Sequence, residues 1–260
     1  MNAITILLGK SFSVSQKIRW LVLCTKATRK RKFIISNGQN VSLPELVNAI
    51  IRKTVNDNPV VLDIGANVGL FTKAFAAAEK RPQQILALEP SSYVFSILKI
   101  VTAKLPNVLA RQLALNHKEG MVQLKTPLKT SGSLRVGLSH IGTTNDTRHY
   151  VENVVAKRLD DVLLEEKIQH VDVVKMDVEG AEEQVIEGAQ VLLKKVKPVW
   201  FVELTQDRAD NFESSAHRIF RDFKNAGYMA FILSESYDWV EVDEMSDAYD
   251  YLFVPSPAAT

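Results

Sequence analysis

Residues 60–69, Val-Val-Leu-Asp-Ile-Gly-Ala-Asn-Val-Gly, constrain the fold of this chain more than any other stretch. An apolar run that carries Asp63 and opens into Gly65-Ala66-Asn67-Val68-Gly69 reads as a buried strand, a tight glycine turn and the start of a helix. A second apolar run, Ile85 to Leu88, ends at Glu89. Strand, glycine turn, helix and acid-terminated strand together bring a ligand against bare backbone.

Glycine accepts positive φ and has no Cβ, so Gly65 and Gly69 suit a turn over which an adenosine-containing ligand lies. Glu89 stands where a carboxylate can accept hydrogen bonds from both ribose hydroxyls. Nicotinamide and flavin dinucleotides share this geometry, but their turn has three glycines in the order G-x-G-x-x-G. Here three residues separate Gly65 from Gly69, and Asp63 precedes the first by two. A carboxylate there suits a ligand carrying an amino group and a sulfonium better than one carrying a pyrophosphate, which favours S-adenosylmethionine over NAD.

At 260 residues the chain can bury one sizeable core, and the expected division is an N-terminal helical extension at 1–57 and a catalytic domain at 58–260. Lys and Arg total 32 against 30 Asp and Glu, a near balance that gives no general case for nucleic acid. Cys24 is the single cysteine, which excludes an internal disulfide framework and a cysteine zinc cluster and agrees with a reducing, cytoplasmic location. Lys26 and Arg29 to Lys32 form a basic run, read first as a solvated surface and second as a contact with a membrane surface or a phosphate-rich partner. The apolar residues before it are interrupted by Lys10, Lys17 and Arg19, so none of their runs approaches the ~18 residues that span a bilayer. No small-residue cleavage site follows them as in a signal peptide. Residues 1–40 are the candidate segment for peripheral attachment to a membrane.

Along the chain, an amphipathic helix is expected around Val14 to Cys24, a short strand at Phe33 to Ile35 and a turn at Asn37-Gly38. Ser42 with Glu45 three positions later makes a capping box for a helix whose apolar stripe is Leu43, Leu46, Val47, Ile50 and Ile51. Phe71, Ala74, Phe75 and Ala78, then Phe95, Leu98, Val101 and Leu105, give two further helices at core-facing spacing. Val108 to Leu113 reads as the next strand, and Ala114, Leu115 and Asn116 just after it are candidate neighbours of an adenine edge. Met121 to Lys125 alternates like a strand; residues 126–150 read as a loop over the substrate, carrying His140 and His149. Strands follow at 151–157, 171–176, 198–202, 229–233 and 251–254, with helices over 162–167, from Ala181 to Leu192 and from Phe212 to Phe223. The alternation predicts an α/β fold in which a parallel sheet is covered on both faces.

Successive strands end in acid: Asp63, Glu89, Asp177 with Glu179, and Glu203. Ligands of open sheets lie beyond the carboxyl ends of the strands, so this edge is the expected working face. Transfer to a hydroxyl needs orientation and an acceptor for the departing proton; Asp177, Glu179, Glu203, His140 and His149 are the candidates. The acids show no distinctive metal-ligand spacing, and no metal is assigned.

Taken in order, VVLDIGANVGLFT, the LEP that begins at Leu88, ARQLALNHKEG, Arg158 to Asp161, VVKMDVEGAEEQVIEGA, the strand from Pro198 to Glu203 and the closing YLFVP resemble the FkbM family of S-adenosylmethionine-dependent methyltransferases. The resemblance runs from Pro59 to Pro255 and leaves residues 1–50 aside. It implies a doubly wound, Rossmann-like class I methyltransferase fold with a seven-stranded, mostly parallel sheet. It also implies a cofactor site around Asp63, Gly65, Asn67, Gly69 and Glu89, with Asn116 near the adenine. KIVTAKLPN at 99–107 departs from the family pattern. The expected function is O-methylation of a small molecule, with a hydroxylated acceptor such as a sugar or lipid. A nucleic-acid methyltransferase, motivated by the basic run, and a catalytically inactive S-adenosylmethionine-binding protein are the alternative readings.

Overall fold

The computed structural model describes residues 32–34, 40–127, 140–141, 149–204, 215–234 and 238–257. The expected helix around Val14 to Cys24, the basic run up to Arg31, the Asn37-Gly38 turn and most of the 126–150 loop lie outside the described residues.

In chain order, β1 (Lys32–Ile34) and β2 (Asn40–Ser42) pair antiparallel and lead into α1 (Leu43–Ile51). Then come β3 (Val60–Ile64), α2 (Leu70–Ala76), β4 (Gln84–Leu88), α3 (Ser92–Thr102) and β5 (Val108–Arg111). The chain next builds β6 (Ala114–Leu115), β7 (Gly120–Pro127), β8 (His140–Ile141) and β9 (His149–Lys157). It returns through α4 (Leu159–Glu165), β10 (Val173–Met176), α5 (Glu182–Glu187), a π-helical turn at Leu192–Val196 and β11 (Val199–Glu203). The last elements are α6 (Ser215–Asn225), β12 (Tyr228–Leu233), β13 (Trp239–Val242) and β14 (Asp250–Pro255).

The main sheet corrects the expectation of seven mostly parallel strands. It has eight, in the order β13-β12-β14-β11-β10-β3-β4-β5, and it is mixed. The pairings β11–β10–β3–β4–β5 are parallel, while β14 pairs antiparallel with β11 and β12, and β13 antiparallel with β12. The additional strand is β13, whose burial pattern is intermediate or exposed throughout, so it lacks the apolar run by which buried strands are recognised. Its Trp239 supplies the reason it stays: the indole Nε1–H donates to the Ala49 carbonyl at 3.1 Å and the ring meets Phe201 edge-on, tying the edge strand to α1.

A separate four-stranded sheet, ordered β6-β9-β7-β8, stands after β5, where the alternation led to two strands, at 121–125 and 151–157, with a loop between them. Part of the expected loop is therefore sheet: β7 runs on to Pro127, opposite His149, and β8 pairs with it at Leu124 and Lys125.

Alternation along the central strands sends side chains to two cores. Val61, Ile85, Val173, Val199 and Phe201 face α1 and α2, while Leu62, Ile64, Val174, Met176, Trp200 and Val202 face the side of α5 and α6. The capping box sets α1: the Glu45 N–H donates to Ser42 Oγ, and the five expected stripe residues are all buried. Burying each such side chain contributes about 1.5–3 kcal/mol before entropy is counted, enough to dock a short helix that would not persist alone.

Candidate active site

The turn after β3 is shaped by three left-handed residues. Gly65 has φ +71°, Asn67 φ +51° and Gly69 φ +84°. A Cβ on Gly65 would lie 1.8 Å from the Asp177 carbonyl oxygen, and one on Gly69 would lie 2.8 Å from Leu98 Cδ1. The first glycine thus lets the turn touch the end of β10, and the second lets α2 begin against α3. Asn67 tolerates its conformation because its own Oδ1 accepts the Val68 N–H at 2.8 Å.

Glu89 closes the turn from β4. Its Oε2 accepts the Asn67 N–H at 2.9 Å and its Oε1 accepts the Ser91 N–H at 2.9 Å. Burial pushes this carboxyl up to about 7 against the lowering effect of those two donors. Each oxygen keeps a lone pair for a further donor.

These residues line one open cleft of about 680 Å³, a volume that includes its mouth. Its lining combines apolar residues, among them Val94, Leu113, Ala114, Leu115, Leu124 and Ile141, with Gly65, Asn67, Glu89, Asp177, Val178 and Glu179. Leu124 and Ile141 come from the second sheet, which therefore supplies part of the apolar lining. Nothing in the local sequence marks them except the alternation around Met121 to Lys125.

The remaining expected cofactor residues lie elsewhere. Asp63 is fully buried behind the turn, where its Oδ2 accepts the Thr72 hydroxyl and its Oδ1 lies 3.8 Å from Lys175 Nζ. Burial pushes its pKa up, and Lys175 and Thr72 oppose the shift. Gly69 caps α2 and is not part of the lining. Asn116 turns the chain: its N–H donates to the Lys157 carbonyl, its Oδ1 accepts the His117 N–H, and its carbonyl faces Gly188 so closely that a Cβ there would come within 2.5 Å.

Two of the expected catalytic acids, Asp177 and Glu203, follow one face of the sheet to its edge. Lys175 pairs in register with Asp63 and with Phe201, and Glu203 pairs with Asp250, so two residues further along the same face come Asp177, Glu203 and Asp250. Asp250 was not singled out by sequence, because it opens a strand whose neighbours are apolar. Burial, then the charge of Asp177, raises Glu203 to about 8 and Asp250 to about 7. Glu179, at φ +54°, is raised to about 7 by partial burial and by Asp177 and Glu182. Glu182 accepts the Gly180 N–H at 3.1 Å and fixes the loop; Glu183 holds Arg218 of α6 through two contacts of 2.9 Å. His140 lies in β8 opposite Lys125, with its side chain outside the described residues. Among the described residues no three His, Cys, Asp or Glu side chains converge to hold a metal.

The cleft fits S-adenosylmethionine in chemistry: apolar side chains for a purine, a carboxylate with lone pairs for vicinal hydroxyls, and acids with glycine backbone for an amino acid. The model of the methyltransferase FkbM domain matches residues 63–229. The chain is 25% identical over 189 residues to "2-O-methyltransferase NoeI" of Sinorhizobium fredii (strain NBRC 101917 / NGR234), covering 69% of this chain and 77% of that protein. It is 31% identical over 169 residues to "Methyltransferase sdnD" of Sordaria araneosa, covering 50% of this chain and 60% of that one. The fold matches the crystal structure of methyltransferase FkbM from Methylobacillus flagellatus KT with a TM-score of 0.50 at 12% identity, over 76% of this chain and 44% of the other, so the chain spans under half of that protein. The chain belongs to the FkbM methyltransferase family, and its methyl donor is S-adenosylmethionine.

Proposed function

We propose that the protein methylates a hydroxyl of an uncharged small molecule, such as a sugar. The observation that carries this reading is the acid edge beside the cleft. Asp177 and Glu179 line the cleft and Glu203 pairs with Asp250 behind them, a cluster that offers hydrogen-bond partners to neutral hydroxyls, while the described lining carries no Lys or Arg to pair with a phosphate or carboxylate. The printed name of the Sinorhizobium fredii relative, a 2-O-methyltransferase, supports the same class of acceptor.

Bound S-adenosylmethionine supplies an electrophilic methyl group on a sulfonium. Glu89 would hold the ribose hydroxyls, Val94, Leu113 to Leu115, Leu124 and Ile141 would enclose the purine, and Gly65, Asp177 and Val178 would border the amino-acid portion. The acids beyond them orient the acceptor hydroxyl and take its proton. Glu203, raised to about 8, and Glu179, raised to about 7, retain protons at neutral pH more readily than ordinary carboxylates and are correspondingly stronger bases once ionised. Positioning is the larger contribution, since a sulfonium methyl needs a well-aligned nucleophile more than a strong base.

The test is transfer of labelled methyl from S-adenosylmethionine to a panel of neutral glycosides, their phosphorylated and carboxylated counterparts, and short RNA. Labelling of neutral hydroxyl compounds supports the reading. Labelling confined to anionic acceptors or RNA contradicts it.

A further inference from the structure

Lys175 is the residue of this site that the chemistry so far leaves unused. A lysine in the centre of Val173-Val174-Lys175-Met176 is out of place in a buried strand, and its side chain is 4% exposed. Its Nζ donates to the Gly65 carbonyl at 3.1 Å and to Asp177 Oδ2 at 3.3 Å, lies 3.8 Å from Asp63 Oδ1, and stands 5.2 Å from the centre of the Phe71 ring. Asp63 Oδ1 is buried and accepts no hydrogen bond, so the ammonium compensates it through charge alone. Burial works against the charged ammonium, but the surrounding carboxylates, Asp177 and Asp63 first, outweigh it and leave the lysine pKa raised. Lys175 does not line the cleft. Whatever it does for the donor, it does through the groups it holds.

We infer that Lys175 is the positioning residue of the donor site, fixing the Gly65 carbonyl and the Asp177 carboxylate and supplying the positive charge on which the acid edge depends. The inference rests on the reading of this cleft as the donor site. A neutral side chain could donate to Gly65 or Asp177, but it could not offset the carboxylates that face the ammonium. Those are Asp63 from β3, Glu89 after β4, Asp177 and Glu179 after β10, Glu203 of β11 and Asp250 of β14. The charge of Lys175 favours the ionised form of Asp63, Glu89, Glu179, Glu203 and Asp250 against the burial that raises them.

The experiment compares Asp63→Asn with Asp63→Asn/Lys175→Met, because removing the lysine alone would strand a buried carboxylate. Thermal unfolding establishes that both fold, titration calorimetry with S-adenosylmethionine gives donor affinity, and the kcat/KM profile against pH reads the acid edge. Relative to Asp63→Asn, the double variant should bind the donor at least about tenfold more weakly, the size of one charge-assisted contact. The acid limb of its pH profile should move to higher pH, since the remaining acids lose their nearest cation. Asp63→Asn/Lys175→Gln serves if the methionine variant does not fold; it keeps a donor for Gly65, so the limb should move with a smaller loss of affinity. A donor Kd within about twofold in a folded double variant, or an unmoved limb in either, overturns the inference. Glu89→Ala, measured beside them, separates the two claims: wild-type donor affinity there removes Glu89 from the donor site and counts against the cleft reading on which the inference rests, whereas weakened binding there beside an unchanged double variant overturns the role of Lys175 alone.

Discussion

The Glu89 carboxylate accepts the backbone N–H of Asn67 at 2.9 Å, joining the end of β4 to the glycine turn after β3. One side chain therefore does two jobs, satisfying an N–H in a left-handed residue and presenting lone pairs to the cleft. Replacing it with alanine should weaken S-adenosylmethionine binding by about 1–3 kcal/mol, the cost of losing a charged hydrogen bond and exposing an unpaired donor. Calorimetry on the folded variant checks this; unchanged affinity would remove Glu89 from the site.

The glycines of the site should respond unequally. Gly65→Ala places a methyl group 1.8 Å from the Asp177 carbonyl, and backbone cannot move aside as a side chain can. Loss of folding or of donor binding is expected. Gly180→Ala meets open space and bears only the strain of φ +96°, about 1–3 kcal/mol. A Gly65→Ala protein with wild-type affinity and melting temperature would show that the turn and β10 are not in contact.

Asp63 should reveal itself through stability. It is fully buried, bonded to Thr72 and near Lys175, and absent from the cleft lining. Asp63→Ala leaves the lysine without its buried counter-charge and should destabilise the fold by about 3–5 kcal/mol, whereas Asp63→Asn keeps the Thr72 bond and should cost less. Chemical denaturation of both variants measures the difference.

The raised acids make stability fall with pH. Glu89, Glu179 and Asp250 rise to about 7 and Glu203 to about 8 in the folded chain, so between the ordinary carboxylate range and about 8 the native state binds more protons than the unfolded state. The stability they contribute is full below their unfolded values and is lost as pH rises through 7 to 8. The melting temperature of the donor-free protein should therefore decline from about pH 5 to about pH 8, and Glu89→Gln should make the decline shallower. A melting temperature that rises across this window would contradict the burial of these carboxyls.

Much of the frame was legible because its signals are local. The Val60–Gly69 turn, the Ser42–Glu45 cap and the acid-terminated strands are written in neighbouring residues, and the helices of α1 and α2 follow from apolar spacing. What escaped depends on partners distant in sequence. β13 is held by Trp239 reaching Ala49, Leu124 and Ile141 join the cleft only through pairing in the second sheet, and Asp250 enters the acid edge only by its register with Glu203. Asp63 and Asn116 show how a motif gives a residue's place and not the direction of its side chain. Their positions in the motif are as read, but Asp63 turns into the core behind the glycines and Asn116 spends its side chain on its own turn.

The most direct test is a crystal structure with S-adenosylhomocysteine bound. The ribose hydroxyls should lie within hydrogen-bond reach of Glu89, the purine among Val94, Leu115, Leu124 and Ile141, and the amino-acid portion beside Gly65 and Asp177. Density for the ligand outside this cleft, or a ribose turned away from Glu89, would contradict the account.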